Sequence, residues 1–176
     1  MIYFFLGDFN PEPSTWLLDP HLAAHSGIFA SSCQRIDSGG CGNCKAQELE
    51  GRKYADTVAL TPALLHFHQT AEEIYGLKVD DLSPEVVVPF LTRNLHWRVI
   101  KVSEADQRTG MMNSNAWQCS GGHVPREEIP SLKVGVYSET VHLPRQLTDA
   151  PAFENQVVHY DITAGRPSGC NSADDW

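Results

Sequence analysis

Apolar positions along this chain fall into two periods. Ile2 to Phe9 is almost continuously apolar and is closed by Gly7-Asp8 and Asn10-Pro11-Glu12-Pro13, which marks a buried strand ending in a turn. Period-two alternation recurs three times. Leu95, Trp97 and Val99 point one way within 95–102, as do Leu132, Val134 and Val136 within 132–138, and Val158, Tyr160 and Ile162 within 157–163. Shorter apolar runs predict strands at 27–30 and 57–60. The period changes to 3.6 after Thr61-Pro62, a helix start with Thr as N-cap and Pro in the first turn. Leu64, Phe67, His68, Ala71, Ile74 and Tyr75 then share one face, and Gly76 ends the helix, so a helix over 62–75 is expected. Ser83-Pro84-Glu85 opens a second helix over 84–94 in the same way, with Val87, Val88, Phe90 and Leu91 to bury. Pro89 inside it predicts a kink or an early end. Ser14 or Thr15 caps a short turn carrying Trp16, Leu17 and Leu18. Many short strands, two helices and long loops predict a mainly β fold, a β-sandwich with a helical insertion.

Length makes this one domain, placed at residues 1–163. The Gly-, Pro- and Ser-rich stretch 164–176 is expected to be a mobile tail. Lys and Arg number 13 against 22 Asp and Glu, a net charge of −9, which argues against nucleic acid or an anionic membrane as partner. No apolar run is long enough to span a bilayer. The apolar start, Met1 to Leu6, is short and lacks a basic flank, so it reads as a strand and not as a signal peptide. The 5 cysteines are an odd number, which excludes a complete disulfide framework. Reduced thiols and a cytoplasmic setting are the expectation.

The cysteines carry the candidate chemistry. Cys41-Gly-Asn-Cys44 lies in a glycine-rich loop, 32–52, that can turn both sulfurs toward one ion. Cys119-Ser-Gly-Gly-His123 offers a third thiolate and an imidazole. Together C-x2-C and C-x3-H form a Cys3His ligand set suited to zinc, although the wide separation of the halves makes the signal less specific than a compact finger. A redox pair or two unrelated thiols are the competing readings. A redox C-x-x-C opens a helix in a βαβ unit, and no such unit is predicted here.

Residues 104–128 show no periodicity but hold Met111, Met112, Trp117, Cys119 and His123. A loop this long is functional or disordered more often than not. Trp117 and the methionines either line a site or pack a satellite core. The remaining histidines do not read as ligands. His66 and His68 are two apart on a helix and point apart, and His68, on the apolar face, reads as a satisfied core histidine. His21 and His25 share an ion only if Pro20 starts a helical turn; surface positions are the simpler reading. His96 and His159 alternate outward on strands, and His142 is in a loop.

Several blocks fall in one order: Phe4-Phe5-Leu6-Gly7-Asp8-Phe9, Trp16 with Asp19-Pro20, Ile28-Phe29-Ala30, Cys41-Gly-Asn-Cys44-Lys45, Val58-Ala59-Leu60-Thr61, Asn94 to Val99, and Leu132-Lys133-Val134. This order resembles the C-terminal, hemocyanin-like domain of fungal tyrosinases, over roughly residues 3–140. The resemblance implies an immunoglobulin-like β-sandwich that caps the copper site of an upstream oxidase domain, with the C-x-x-C loop handling copper. A type-3 copper centre needs its histidines set on a helical bundle, and this sequence has neither the helices nor the spacing. As a stand-alone chain it is similar to zinc-dependent cyclopenases of fungal quinolone alkaloid pathways. That resemblance implies a zinc lyase. Its substrate would be a small aromatic alkaloid, a cyclopenin-type spiro-epoxy benzodiazepinedione, converted to a viridicatin-type 4-arylquinolinone with loss of methyl isocyanate. Cys41, Cys44, Cys119 and His123 would be the metal ligands, and Trp117 and Met112 the substrate contacts. The alternative is a non-catalytic lid or copper-delivery domain whose partner is a tyrosinase domain.

Overall fold

A computed structural model describes residues 1–27, 50, 55–69, 78–100, 122–144, 146, 148 and 150–175. The fold is mainly β, built of antiparallel sheets with a few short helices, in keeping with the β-sandwich class. Strands β1 (Ile2–Leu6), β2 (Leu22–Ser26), β3 (Leu95–Ile100) and β4 (His123–Val124) form one sheet in the order β2-β1-β3-β4. Strands β5 (Tyr137–His142) and β6 (Ala152–Val158) pair as a separate hairpin.

The central strand β1 is buried on both faces, which is why it reads as an unbroken apolar run. Ile2 and Leu6 face the larger core with Leu95, Trp97 and Val99 of β3. Helices α1 (Thr61–Gln69) and α2 (Pro84–Asn94) cover that face with Leu64, Phe67, Phe90 and Leu91. Tyr3 and Phe5 face the other way and pack with Trp16 and Ile100. Phe9 stacks on Phe5 with ring centroids 4.1 Å apart, and the Trp16 indole N–H donates to the Asn10 carbonyl at 2.7 Å. The Pro13–Leu18 3-10 turn is thereby pinned over the second face.

Both helices start within one residue of the prediction, but Thr61 is the first helical residue rather than the N-cap and Ser83 caps without a side-chain bond; α2 runs through Pro89 for 11 residues without ending early. Residues 70–77, and with them Ala71, Ile74 and Tyr75, lie outside the described residues. Other expectations shift. The strand beside β1 is Leu22–Ser26, one turn earlier than the expected 27–30, of which only Gly27 is described. Residues 57–60 form no ladder; they are extended chain leading into α1, where the Leu60 carbonyl accepts from the Leu64 amide at 3.0 Å. Val134 is inward as expected, but it makes only an isolated bridge to Gly169, and the regular strand starts at Tyr137. The last strand is Ala152–Val158, and Tyr160–Ile162 turns as a 3-10 helix that buries Ile162.

Residues 164–175, expected as a tail outside the domain, are tied into its body. The Val134 amide donates to the Ser168 carbonyl at 2.7 Å, the Cys170 amide donates back to the Val134 carbonyl at 3.0 Å, and Lys133 pairs with Asp175 at 2.9 Å. The Arg166 guanidinium lies 4.3 Å over the Trp97 ring and donates to the Leu95 and Ile162 carbonyls. Glycine and proline here serve tight turns against the core: a Cβ on Gly169 would stand 1.9 Å from the Thr163 carbonyl oxygen.

Candidate functional site

Of the predicted site residues, Cys41, Cys44, Met112, Trp117 and Cys119 lie outside the described residues, as does Met111. His123 is described. Its place follows from β4, a two-residue strand entered through Gly122 at φ +73°, a conformation glycine adopts freely. His123 pairs with Ile100 of β3, is exposed, and stands edge-on to the Trp16 ring at 6.2 Å.

The register sets the roots of both candidate segments. Ser26 pairs with Ile2, Ile2 with Val99, and Val99 with Val124, so these four residues form one row across the sheet. The cysteine-pair loop leaves at the β2 end of that row. The segment with Met112, Trp117 and Cys119 leaves β3 and returns through β4 at the other side. Both therefore root at the same end of one sheet, β3 two and β4 three strand spacings from β2, or roughly 10 and 14 Å. Thiolates with one imidazole are a soft-to-borderline donor set, suited to zinc or to Cu(I), and the donor chemistry thus fits such an ion.

Among the described residues, no group of three or more His, Cys, Asp or Glu side chains is placed to hold a metal. His21 and His25 do not share a site. Residues 22–26 are strand, with no helical turn after Pro20; His21 lies by Asp19 at 3.4 Å and near the Phe67 ring, whereas His25 packs on Tyr3 across the other face. His68 Nδ1 meets the Val79 carbonyl at 2.8 Å and is structurally engaged, though exposed rather than core. His96, expected outward, is half-buried 5.9 Å from the Phe9 ring, and His159 bonds to the Ser138 hydroxyl at 2.9 Å. His142 lies in β5, not in a loop, 3.4 Å from Glu154.

A shallow, open depression is lined by Asn10, Ser14, Thr15, Leu18, Asp19 and Pro20. Its one carboxylate, Asp19, is already engaged by the amides of Asn10 and His21, each at 2.8 Å. Both bonds make it a turn-forming group. Sequence reasoning also passed over Ser26, whose hydroxyl donates to the Asp56 carboxylate at the root of the cysteine loop. No spacing rule pairs a serine with an aspartate 30 positions on.

A tyrosinase from Neurospora crassa is 31% identical over 166 residues, 94% of this chain, and the chain spans 20% of that relative's length. No solved structure matches. The family described as the tyrosinase C-terminal domain matches residues 1–114, which include β1, β2, both helices, β3 and the Cys41-Cys44 loop, and the chain belongs to that family.

Proposed function

We propose that this domain is a metal-handling cap of the tyrosinase type, which holds a soft metal ion through Cys41 and Cys44 and serves a copper oxidase body. The observation that carries this reading is the extent of the tyrosinase match. It leaves only about 10 of 176 residues outside the match (176 − 166), so its span includes positions 119 and 123, beyond the 1–114 reached by the family model. Thiolates at C-x2-C favour Cu(I), and in this reading His123, paired with Ile100 at the end of β3, would be a further donor.

A second reading, a zinc-dependent lyase of the cyclopenase type, draws on the same donors. Cys41, Cys44, Cys119 and His123 match zinc chemistry, and zinc would polarise the oxygen at which negative charge develops in the ring contraction. In that reading Trp117 and Met112 hold the flat diaryl substrate by stacking and thioether contact, and the four-ligand set must give up one position to substrate.

One preparation separates the two. The chain is purified without added metal, its zinc and copper are measured, and it is offered Cu(I) and a cyclopenin-type substrate in turn. The cap reading expects one Cu(I) held per chain, lost in the Cys41→Ala/Cys44→Ala double variant, and no turnover. Turnover that disappears with zinc removal would establish the lyase instead. Failure to hold either metal would reject both.

A further inference from the structure

The β5–β6 hairpin has firm feet and a lightly held body. At its feet, Val136 packs against the larger hydrophobic cluster, Ile162 is buried within it, and the His159 amide donates to the Val136 carbonyl at 2.8 Å. Beyond the feet, among the described residues, neither hydrophobic cluster includes a side chain of β5 or β6, and the two strands form a sheet of their own. A polar tie joins this ribbon to the first sheet. The hydroxyl of Tyr137, the first residue of β5, donates to Thr57 Oγ1 at 3.3 Å. The Thr57 amide donates to Oδ1 of Asp56 at 2.9 Å. Oδ2 of Asp56 accepts from the hydroxyl of Ser26, the last residue of β2, which is buried at 7% exposure.

We propose that the hairpin is a hinged arm, and that Ser26, Asp56, Thr57 and Tyr137 form the latch that couples its closure to the end of β2. Polar ties suit a latch. When the arm swings out, water replaces each lost hydrogen bond, so opening costs little, whereas parting a packed apolar contact exposes that surface to water. The hinges lie where the planted feet meet the ribbon, at Val136–Tyr137 and Val158–His159. Asp56 is the centre of the latch because its two oxygens hold the Ser26 hydroxyl and the Thr57 amide at once, and the bond from a hydroxyl to a carboxylate is the stronger, charge-assisted kind. Coupling of this sort is reciprocal. Displacing Ser26 loosens the arm, and holding the arm closed steadies the end of β2.

Hydrogen exchange read by mass spectrometry on the whole chain follows β1, β2 and the hairpin separately. It compares wild type with Tyr137→Phe, Ser26→Ala and the double variant. Tyr137→Phe should speed exchange in β5 and β6 about fivefold, the factor that loss of one hydrogen bond puts on an opening equilibrium, and leave β1 unchanged. Ser26→Ala should speed the hairpin as well, although β2 pairs with β1 and not with the hairpin. The double variant should speed it no more than the larger single effect, because both changes open one latch. Hairpin exchange unchanged in Ser26→Ala, or effects that multiply in the double variant, overturns the coupling. A rise shared equally by β1 and the hairpin reports general loss of stability and overturns it too. If Ser26→Ala does not fold, Asp56→Ala takes its place, since Asp56 is exposed and belongs to neither cluster.

Discussion

The Arg166 guanidinium reaches back to a carbonyl 71 positions earlier, at Leu95, while stacking over the Trp97 ring and bonding Ile162. Hydrogen bonds from a charged donor contribute about 1.5–3 kcal/mol, and a partly desolvated cation–π contact adds roughly 1 kcal/mol. Arg166→Ala should therefore lower unfolding stability by about 2–3 kcal/mol in urea titration, and Arg166→Lys should recover only part, because an ammonium lacks the planar fork that lies over the ring while two nitrogens each donate to a carbonyl. A loss below 0.5 kcal/mol would show that the stretch 164–175 is held by other contacts. Asp175 works beside it. The Asn171 amide, and then Lys133, hold its carboxyl below the ordinary 3.8. A depressed carboxyl pKa stabilises the fold above the unfolded value and loses that contribution as pH falls through the folded one. The denaturation midpoint of wild type should thus decline below pH ~4, and Asp175→Asn should decline less steeply over that window. Burial, and then Asp175, push the Cys170 thiol above its ordinary 9.0, so in native protein at pH 8 its alkylation should lag behind that of the unfolded chain.

At the scale of elements, what the sequence made legible follows from how strongly each pattern is imposed. β1 and β3 were readable because both faces or one whole face of each is buried. α1 and α2 were readable because Thr61-Pro62 and Ser83-Pro84 are start signals with a mechanism. β2 was not, since Leu22-Ala-Ala-His-Ser26 has small residues that alternate in nothing but position. The docked C-terminal stretch was not, because composition signals turns but does not say what the turns pack against. Of the candidate site, the donor set came from spacing alone, and the Ser26–Asp56 contact needed the fold. Two predictions belong here. Pro89 sits in the exposed middle of α2, where it withholds an N–H from the helix. Pro89→Ala should raise stability by about 1–3 kcal/mol, less what the looser unfolded chain returns; a decrease would mean that the helix bends there for packing. The β5–β6 hairpin leaves Val141, Leu143, Phe153 and Val157 at 48%, 84%, 60% and 51% exposure. A two-stranded ribbon is marginal by itself, so its amides should exchange before those of β1 and β3. Equal protection would show that the hairpin shares the stability of the main core.

For the molecule as a whole, metal and stability are one equilibrium. An ion that binds the native chain and not the unfolded one stabilises by RT ln(1 + [L]/Kd), about 2.7 kcal/mol at a free concentration of 100 Kd. For a domain of this size each kcal/mol moves the thermal midpoint by roughly 2–4 °C. The proposed site therefore predicts a rise of about 5–10 °C when the metal-free protein is titrated with zinc or Cu(I). The donors must be deprotonated, so the rise should shrink as pH falls and thiolates and imidazole take up protons. Cys41→Ala/Cys44→Ala should abolish it. His123→Ala separates the two geometries that the sheet allows. His123 lies in the row next to that of Ser26, with Ile100 and β1 between them. If the cysteine loop folds across that end of the sheet onto β4, losing the imidazole should cut the metal-dependent rise by about 1.4 kcal/mol or more, the equivalent of tenfold in affinity. If the loop binds its ion on its own side, His123→Ala should leave the rise unchanged, and the ligand set reduces to the cysteines alone.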